Sequence, residues 1–208
     1  MILEMSGYSI RPFLLTVPEL RERTEFIRAH FKEVGIEAEE FEGLSATESG
    51  LVTTHCYEID NPGSGYRIGP KPTATWVGFW AMWSALKLLP DSHFLTLEYD
   101  AKFHPNWRQR AERALKDVPR DFDLLYLGHC CCKGRPSRFI AGEVFEVKYP
   151  VCGHATIVAK KALPMILKTQ RKIYAPLDLS LAFHTLPHLK VYTLLPRCAD
   201  QFNTDLPE

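Results

Sequence analysis

Two carboxylates one residue apart, Glu98 and Asp100, follow directly on the apolar run Phe94-Leu95-Thr96-Leu97. A run that compact reads as a buried strand, and ligands of an open α/β sheet gather beyond the carboxyl ends of its strands. Two oxygen-bearing side chains placed there can present themselves to a hard divalent cation that in turn binds a diphosphate. The competing reading is a plain solvated strand end. The run Cys130-Cys131-Cys132 behind His129 raises a thiolate metal site, but zinc ligands come as spaced pairs that wrap a tetrahedron, and no second pair exists.

The elements that must carry the acidic pair follow an alternating pattern. Ile10–Thr16 reads as a buried strand, followed by a helix that opens at Pro18 and Glu19 and repeats Leu20, Phe26, Ile27 and Phe31 until Gly35. Ile36–Phe41 is a short strand. The stretch 42–73 is rich in Gly, Pro and polar residues and reads as a long loop, with 61–70 as a candidate ligand cover. Thr75–Leu88 is apolar on most faces and reads as a buried helix. Trp107–Val118 is an amphipathic helix, Asp123–Leu127 a strand, Phe139–Tyr149 a strand or hairpin, Ala155–Ala159 a strand, Lys160–Lys172 a helix and Val191–Leu195 a last strand. With no internal repeat, residues 1–208 read as a single α/β domain.

The 208 residues carry 25 basic and 25 acidic side chains, so no global field steers the chain toward a polyanion. No apolar run reaches the roughly 18 residues of a membrane helix. The start MILEMSGYSIRP lacks a basic segment followed by an apolar stretch and a cleavage site, which points to the cytoplasm, with six cysteines mostly reduced.

Several segments occur in a telling order. They are Leu14-Leu15-Thr16-Val17-Pro18 running into Arg21 and Arg23; Phe41-Glu42-Gly43; Leu97-Glu98-Tyr99-Asp100-Ala101; Phe122-Asp123-Leu124-Leu125-Tyr126-Leu127-Gly128; Gly153-His154-Ala155; and Pro176-Leu177-Asp178. Together they resemble glycosyltransferase family 25, the lipopolysaccharide-type and procollagen-type galactosyl- and glucosyltransferases. The resemblance implies a GT-A-like nucleotide-sugar-binding fold, α/β, with a mixed central sheet flanked by helices. It implies transfer of a hexose from a nucleotide-diphosphate sugar, with uridine the expected nucleotide, and Mn2+ or Mg2+ as cofactor. The acceptor would be a glycan, glycolipid, protein or modified-base hydroxyl. Two positions depart from the family pattern: Tyr99 stands at the centre of the acidic signature, and Gly78-Phe79 stands where the family has Ser-His. They leave open an alternative, a nucleotide-sugar-binding subunit with weakened turnover.

The roles that follow from the resemblance are specific. Asp100 is expected to hold the metal, with Glu98 supporting it or the ribose, and Thr16, Arg21 and His154 are expected to contact the donor. Asp200 is the expected further metal ligand, with Gln201, His184 and His188 as rivals. An inverting reaction needs a general base, and Asp178 is the candidate, in an apolar segment whose burial would raise its pKa. Asp178 is equally suited to cap a helix beginning at Leu179, and Glu143 is a fallback base. Trp76, Trp80, Trp83 and Trp107 read as packing residues that could also stack a sugar, while Tyr66 could close over the nucleotide and Arg67 and Lys71 could meet phosphate or an acidic acceptor, against a default of solvated loop charges.

Overall fold

The computed structural model describes residues 2–45, 69–130 and 138–202. Among them, eleven strands form one mixed sheet. In chain order these are β1 (Leu3–Met5), β2 (Tyr8–Thr16), β3 (Glu39–Glu42), β4 (His93–Leu97), β5 (Ala101–Phe103), β6 (Leu124–Gly128), β7 (Arg138–Ala141), β8 (Val144–Glu146), β9 (Ala155–Ala159), β10 (Val191–Leu194) and β11 (Ala199–Gln201). The α-helices are α1 (Arg21–Glu33), α2 (Pro70–Leu86), α3 (Trp107–Asp117), α4 (Leu163–Thr169) and α5 (Leu177–His184). The mixed sheet flanked by helices is the architecture that the resemblance implied.

Spatial order along the sheet is β1-β2-β4-β9-β6-β10-β8-β7. β2 runs parallel to β4 and β6 parallel to β10, while β9 lies antiparallel between β4 and β6. The carboxyl ends of β4 and β6 therefore meet the amino end of β9 at one sheet edge.

Side-chain alternation along each strand sorts the core into two layers. Leu14, Leu95, Leu97, Leu125, Leu127, Ile157 and Leu194 pack with Ile27 and Phe31 of α1 and with Trp107, Ala111 and Leu115 of α3. The intervening residues Phe13, Leu15, Phe94, Leu124, Tyr126, Val158 and Val191 pack on the other face with Phe79, Met82 and Trp83 of α2, Ile166 of α4 and Ala182 of α5. Both faces are buried, which explains why these strands read as continuous apolar runs.

Boundaries moved in several places; the strand expected at Ile36–Phe41, for one, runs over Glu39–Glu42. The first helix begins at Arg21 rather than Pro18, because residues 18–20 form a turn closed by Leu20 N–H to Val17 O at 2.9 Å. The helix expected at Thr75 starts at Pro70, with Pro70 and Pro72 in a first turn where a missing N–H costs nothing. Lys160–Lys172 divides into a 3-10 turn at Lys160–Ala162 and α4. The loop positions Tyr66 and Arg67, most of the 61–70 cover, and Cys56, Cys131 and Cys132 lie outside the described residues.

Candidate functional site

Alternation aims Glu98. Leu97 belongs to the layer of α1 and α3, so Glu98 turns to the opposite face, the side on which Thr96 already points. There Thr96, Thr156 and Tyr126 form a row across β4, β9 and β6, paired in register. This row floors a cleft of about 190 Å³ walled by Phe79 and Trp83 of α2, Ile166 of α4, and Leu177 and Leu181 of α5. Glu98, Asp178, Cys152, Gly153 and Gln201 also line it. Apolar walls with a few converging polar groups are the usual make-up of a small-molecule site.

The backbone fixes these groups firmly. Glu98 N–H donates to His154 O at 3.0 Å, extending the β4–β9 ladder by one step. The Gly153 N–H bonds the Glu98 carboxylate, yet burial, then Asp100, then Asp178 push the Glu98 carboxyl up to about 8. Asp100 leaves the sheet in the turn before β5; its Oδ2 accepts from Gln201 Nε2 at 2.8 Å, and its buried Oδ1 has no partner among the described residues. Burial raises the Asp100 pKa against the lowering pull of Gln201 and Arg23. Arg23, from α1, also lies over the Tyr99 ring at 5.9 Å, so the residue that departs from the acidic signature anchors a cation beside it.

Asp178 sits in the first turn of α5. Its Oδ1 accepts the Leu179 N–H at 2.8 Å and its Oδ2 the Cys152 N–H at 3.2 Å. The helix starts at Leu177 with Pro176 as the residue before it, so Asp178 is not the N-cap; it pins the segment before β9 to α5 while facing the cleft.

The structure does not bring Asp200 to this cluster. On β11 neighbouring side chains point oppositely: Gln201 reaches Asp100, whereas Asp200 lies in a separate surface pocket, paired with His104 at 3.1 Å and Arg197 at 3.1 Å. His154 is fully buried and lines no described pocket, its Nε2 bonded to Ala199 O at 3.2 Å. Its ring occupies the space above Gly128, where an added Cβ would meet Nε2 at 2.3 Å, so this glycine is demanded by close approach. The structure thus gives His154 a packing role at the junction of β6, β9 and β11. Thr16 and Arg21 line a separate pocket at the end of β2 with Arg28, Glu40 and Glu42. That pocket is one strand away from Glu98, since β2 and β4 are adjacent and parallel.

Other candidates are engaged elsewhere. Glu143 pairs with Arg110 at 3.1 Å and with Arg113 at 3.8 Å. His184 and His188 are exposed, the former 4.5 Å from the Tyr174 ring. Trp76, Trp83 and Trp107 are buried and Trp80 half-buried; Lys71 is exposed on α2. Sequence reasoning missed the peptide groups of Cys152 and Gly153, which hold Asp178 and Glu98. Their only signal was Gly153 itself, since a backbone donor leaves no mark in side-chain chemistry.

Among the described residues no group of three or more His, Cys, Asp and Glu side chains is arranged to hold a metal ion. Glu98 and Asp100 nevertheless suit a hard cation that takes its remaining ligands from substrate phosphates and water. Both are oxygen donors held above their ordinary pKa, by burial first, and one Asp100 oxygen lacks a partner among the described residues.

No protein-family model matches the sequence, and no curated relative is found. Among solved structures, A197 from STIV is similar at a TM-score of 0.51 and 12% identity, over 93% of this chain and 85% of that one. A glycosyltransferase involved in the glycosylation of the major capsid of PBCV-1 is similar at 0.47 and 12%, over 88% and 80% of the two chains. The galactosyltransferase LgtC, in complex with donor and acceptor sugar analogues, is similar at 0.45 and 11%, over 88% and 72%. At these identities the likeness to A197 is one of fold, and glycosyltransferases stand among the solved structures found similar. Among the described residues no helix is long and apolar enough to cross a membrane.

Proposed function

We propose that the chain is a GT-A-like glycosyltransferase that moves a hexosyl group from a nucleotide-diphosphate sugar, with uridine diphosphate the expected carrier, to an acceptor hydroxyl. The acceptor class is a glycan, glycolipid, protein or modified base, and residues 1–208 act as one domain. The observation that carries this reading is the position of Glu98, at the carboxyl end of β4 on the rim of an apolar cleft, between Asp100 and Asp178.

Mn2+ or Mg2+ would be held by Asp100 and Glu98, and when bound it would supply positive charge to the diphosphate that leaves. The chain's own residues do the rest. The apolar walls at Phe79, Trp83 and Leu181 exclude water from the reacting sugar. Thr16 and Arg21, at the neighbouring strand end, are placed to meet the nucleotide end of the donor. Asp178 faces the cleft and serves as the base that takes the acceptor proton, giving inversion at the anomeric carbon. Its two backbone bonds set the direction of its lone pairs before any acceptor arrives.

Calorimetry with uridine diphosphate, with and without Mn2+, followed by a donor-hydrolysis assay, tests the reading. Cation-dependent binding with turnover supports an active enzyme, cation-independent binding without turnover supports the weakened subunit, and absence of binding refutes both. Asp100→Ala is expected to lower cation-dependent affinity by about 10–100-fold while the melting temperature is retained. Unchanged affinity in that variant removes Asp100 from the site.

A further inference from the structure

Cys130 follows β6 and Cys152 precedes β9, and a bond from the Cys130 N–H to the Val151 carbonyl, 3.2 Å, lays the two segments side by side. The Cys152 S–H donates to the Cys130 sulfur, and the Cys152 sulfur accepts from the Cys130 N–H. The Cys130 thiol also bonds Oε1 of Gln201, whose Nε2 donates to Asp100 at 2.8 Å. Cys130 is exposed, and Cys152 is half-buried on the cleft wall. Cys152 has a φ of 58°, in the left-handed region that a residue with a Cβ occupies only when its surroundings over-determine it. Here the determinants are Asp178, which accepts its N–H, and the sulfur of Cys130.

We propose that Cys130 and Cys152 are a redox-modification site, forming a reversible disulfide at the lip of the cleft by exchange with a small-molecule disulfide such as oxidised glutathione. Cys130 loses its proton and its sulfur attacks one glutathione sulfur; the S–S bond breaks, and the departing glutathione thiolate takes up a proton. Cys152 then loses its proton and attacks the Cys130 sulfur of the mixed disulfide, expelling the second glutathione as a thiol. Two protein thiols are oxidised by two electrons, and one disulfide is reduced to two thiols. Burial holds the Cys152 thiol far above its ordinary pKa, so the second exchange is the slow one. The bridge removes the S–H that bonds Gln201 and pulls on Cys152, whose N–H holds Asp178 and whose neighbour Gly153 holds Glu98. Oxidation is thereby transmitted to the carboxylates.

The site stands independently of the proposed glycosyl transfer, and its test reads the covalent bond. The full chain carrying Cys131→Ser and Cys132→Ser is incubated with oxidised glutathione, quenched with iodoacetamide and mapped by non-reducing mass spectrometry. The expected product joins the Cys130 and Cys152 peptides with loss of two hydrogen atoms and is reversed by dithiothreitol. Adding Cys152→Ser is expected to trap a glutathione adduct at Cys130. Glutathione adducts alone in the Cys152-bearing chain, bridges only to Cys56 or Cys198, or two separately alkylated thiols overturn the proposal. Mn2+ affinity measured on the same samples bears on the proposed function alone.

Discussion

Each carboxylate of the cleft has its own backbone partner, and that division defines what single substitutions should do. Asp178→Asn keeps an oxygen for the Leu179 N–H but cannot take a proton from an acceptor. Turnover is expected to fall by about 10²–10⁴-fold with little change in donor affinity, read from kcat and KM of transfer to a hydroxyl acceptor. Loss of folding instead would make its grip on Cys152 the dominant role. A pH effect lies in a different pair of side chains. Burial first, with Arg197 also contributing, lowers His129 to about 4, and burial lowers His154 to about 4 from an ordinary 6.5. The two histidines therefore contribute stability that rises with pH from about 4 to 6.5, while Glu98, pushed up to about 8, contributes in the opposite sense as pH rises from about 4.5 to 8. With Glu98→Gln and Asp100→Asn in place to remove that opposing contribution, urea titrations from pH 4 to 7 are expected to show a gain of up to about 3 kcal/mol per histidine. A flat profile would mean that both rings charge without resistance.

At the scale of elements, the helix that presents Asp178 is held from behind. Gln170, buried just after α4, accepts from Trp76 Nε1 of α2 at 3.3 Å and from Ser180 of α5 at 2.8 Å, and donates to Thr185 at 2.8 Å. Gln170→Ala strips partners from several buried groups and is expected to cost about 2–4 kcal/mol by denaturant titration. Gln170→Glu retains the acceptor but not the amide donor, so the pair of variants separates lost volume from lost bonding. The elements themselves were legible in sequence because the inner strands β2, β4, β6, β9 and β10 are apolar on both faces. The strands β1, β5 and β11 span three residues each, too few to show alternation; β1 exists through its hairpin with β2, and β5 and β11 through pairing with each other across the chain. That gap explains the Asp200 expectation: the fold-back after Pro196 was readable, but the parity of a three-residue strand was not, and it is Gln201 that points to Asp100. The Glu98-to-cleft geometry was readable from a strand end; the amide groups at Cys152 and Gly153 were not.

For the whole molecule, one sheet separates two apolar layers, each closed by its own helices, and the central strands β2, β4, β6 and β9 supply side chains to both. Neither layer can melt without exposing the back of the other. Heat denaturation is therefore expected as one transition with equal calorimetric and van't Hoff enthalpies. Two resolved transitions would divide the 1–208 unit. The reversed direction of β9 has a consequence for how such a chain can change. Because that strand enters the sheet where its neighbours leave it, the stretch from Tyr149 to Gly153 is both a connector and part of the cleft's wall. Replacements there would reshape what the cleft admits while the scaffold stays intact, making this connector the natural place for its selectivity to drift between related proteins.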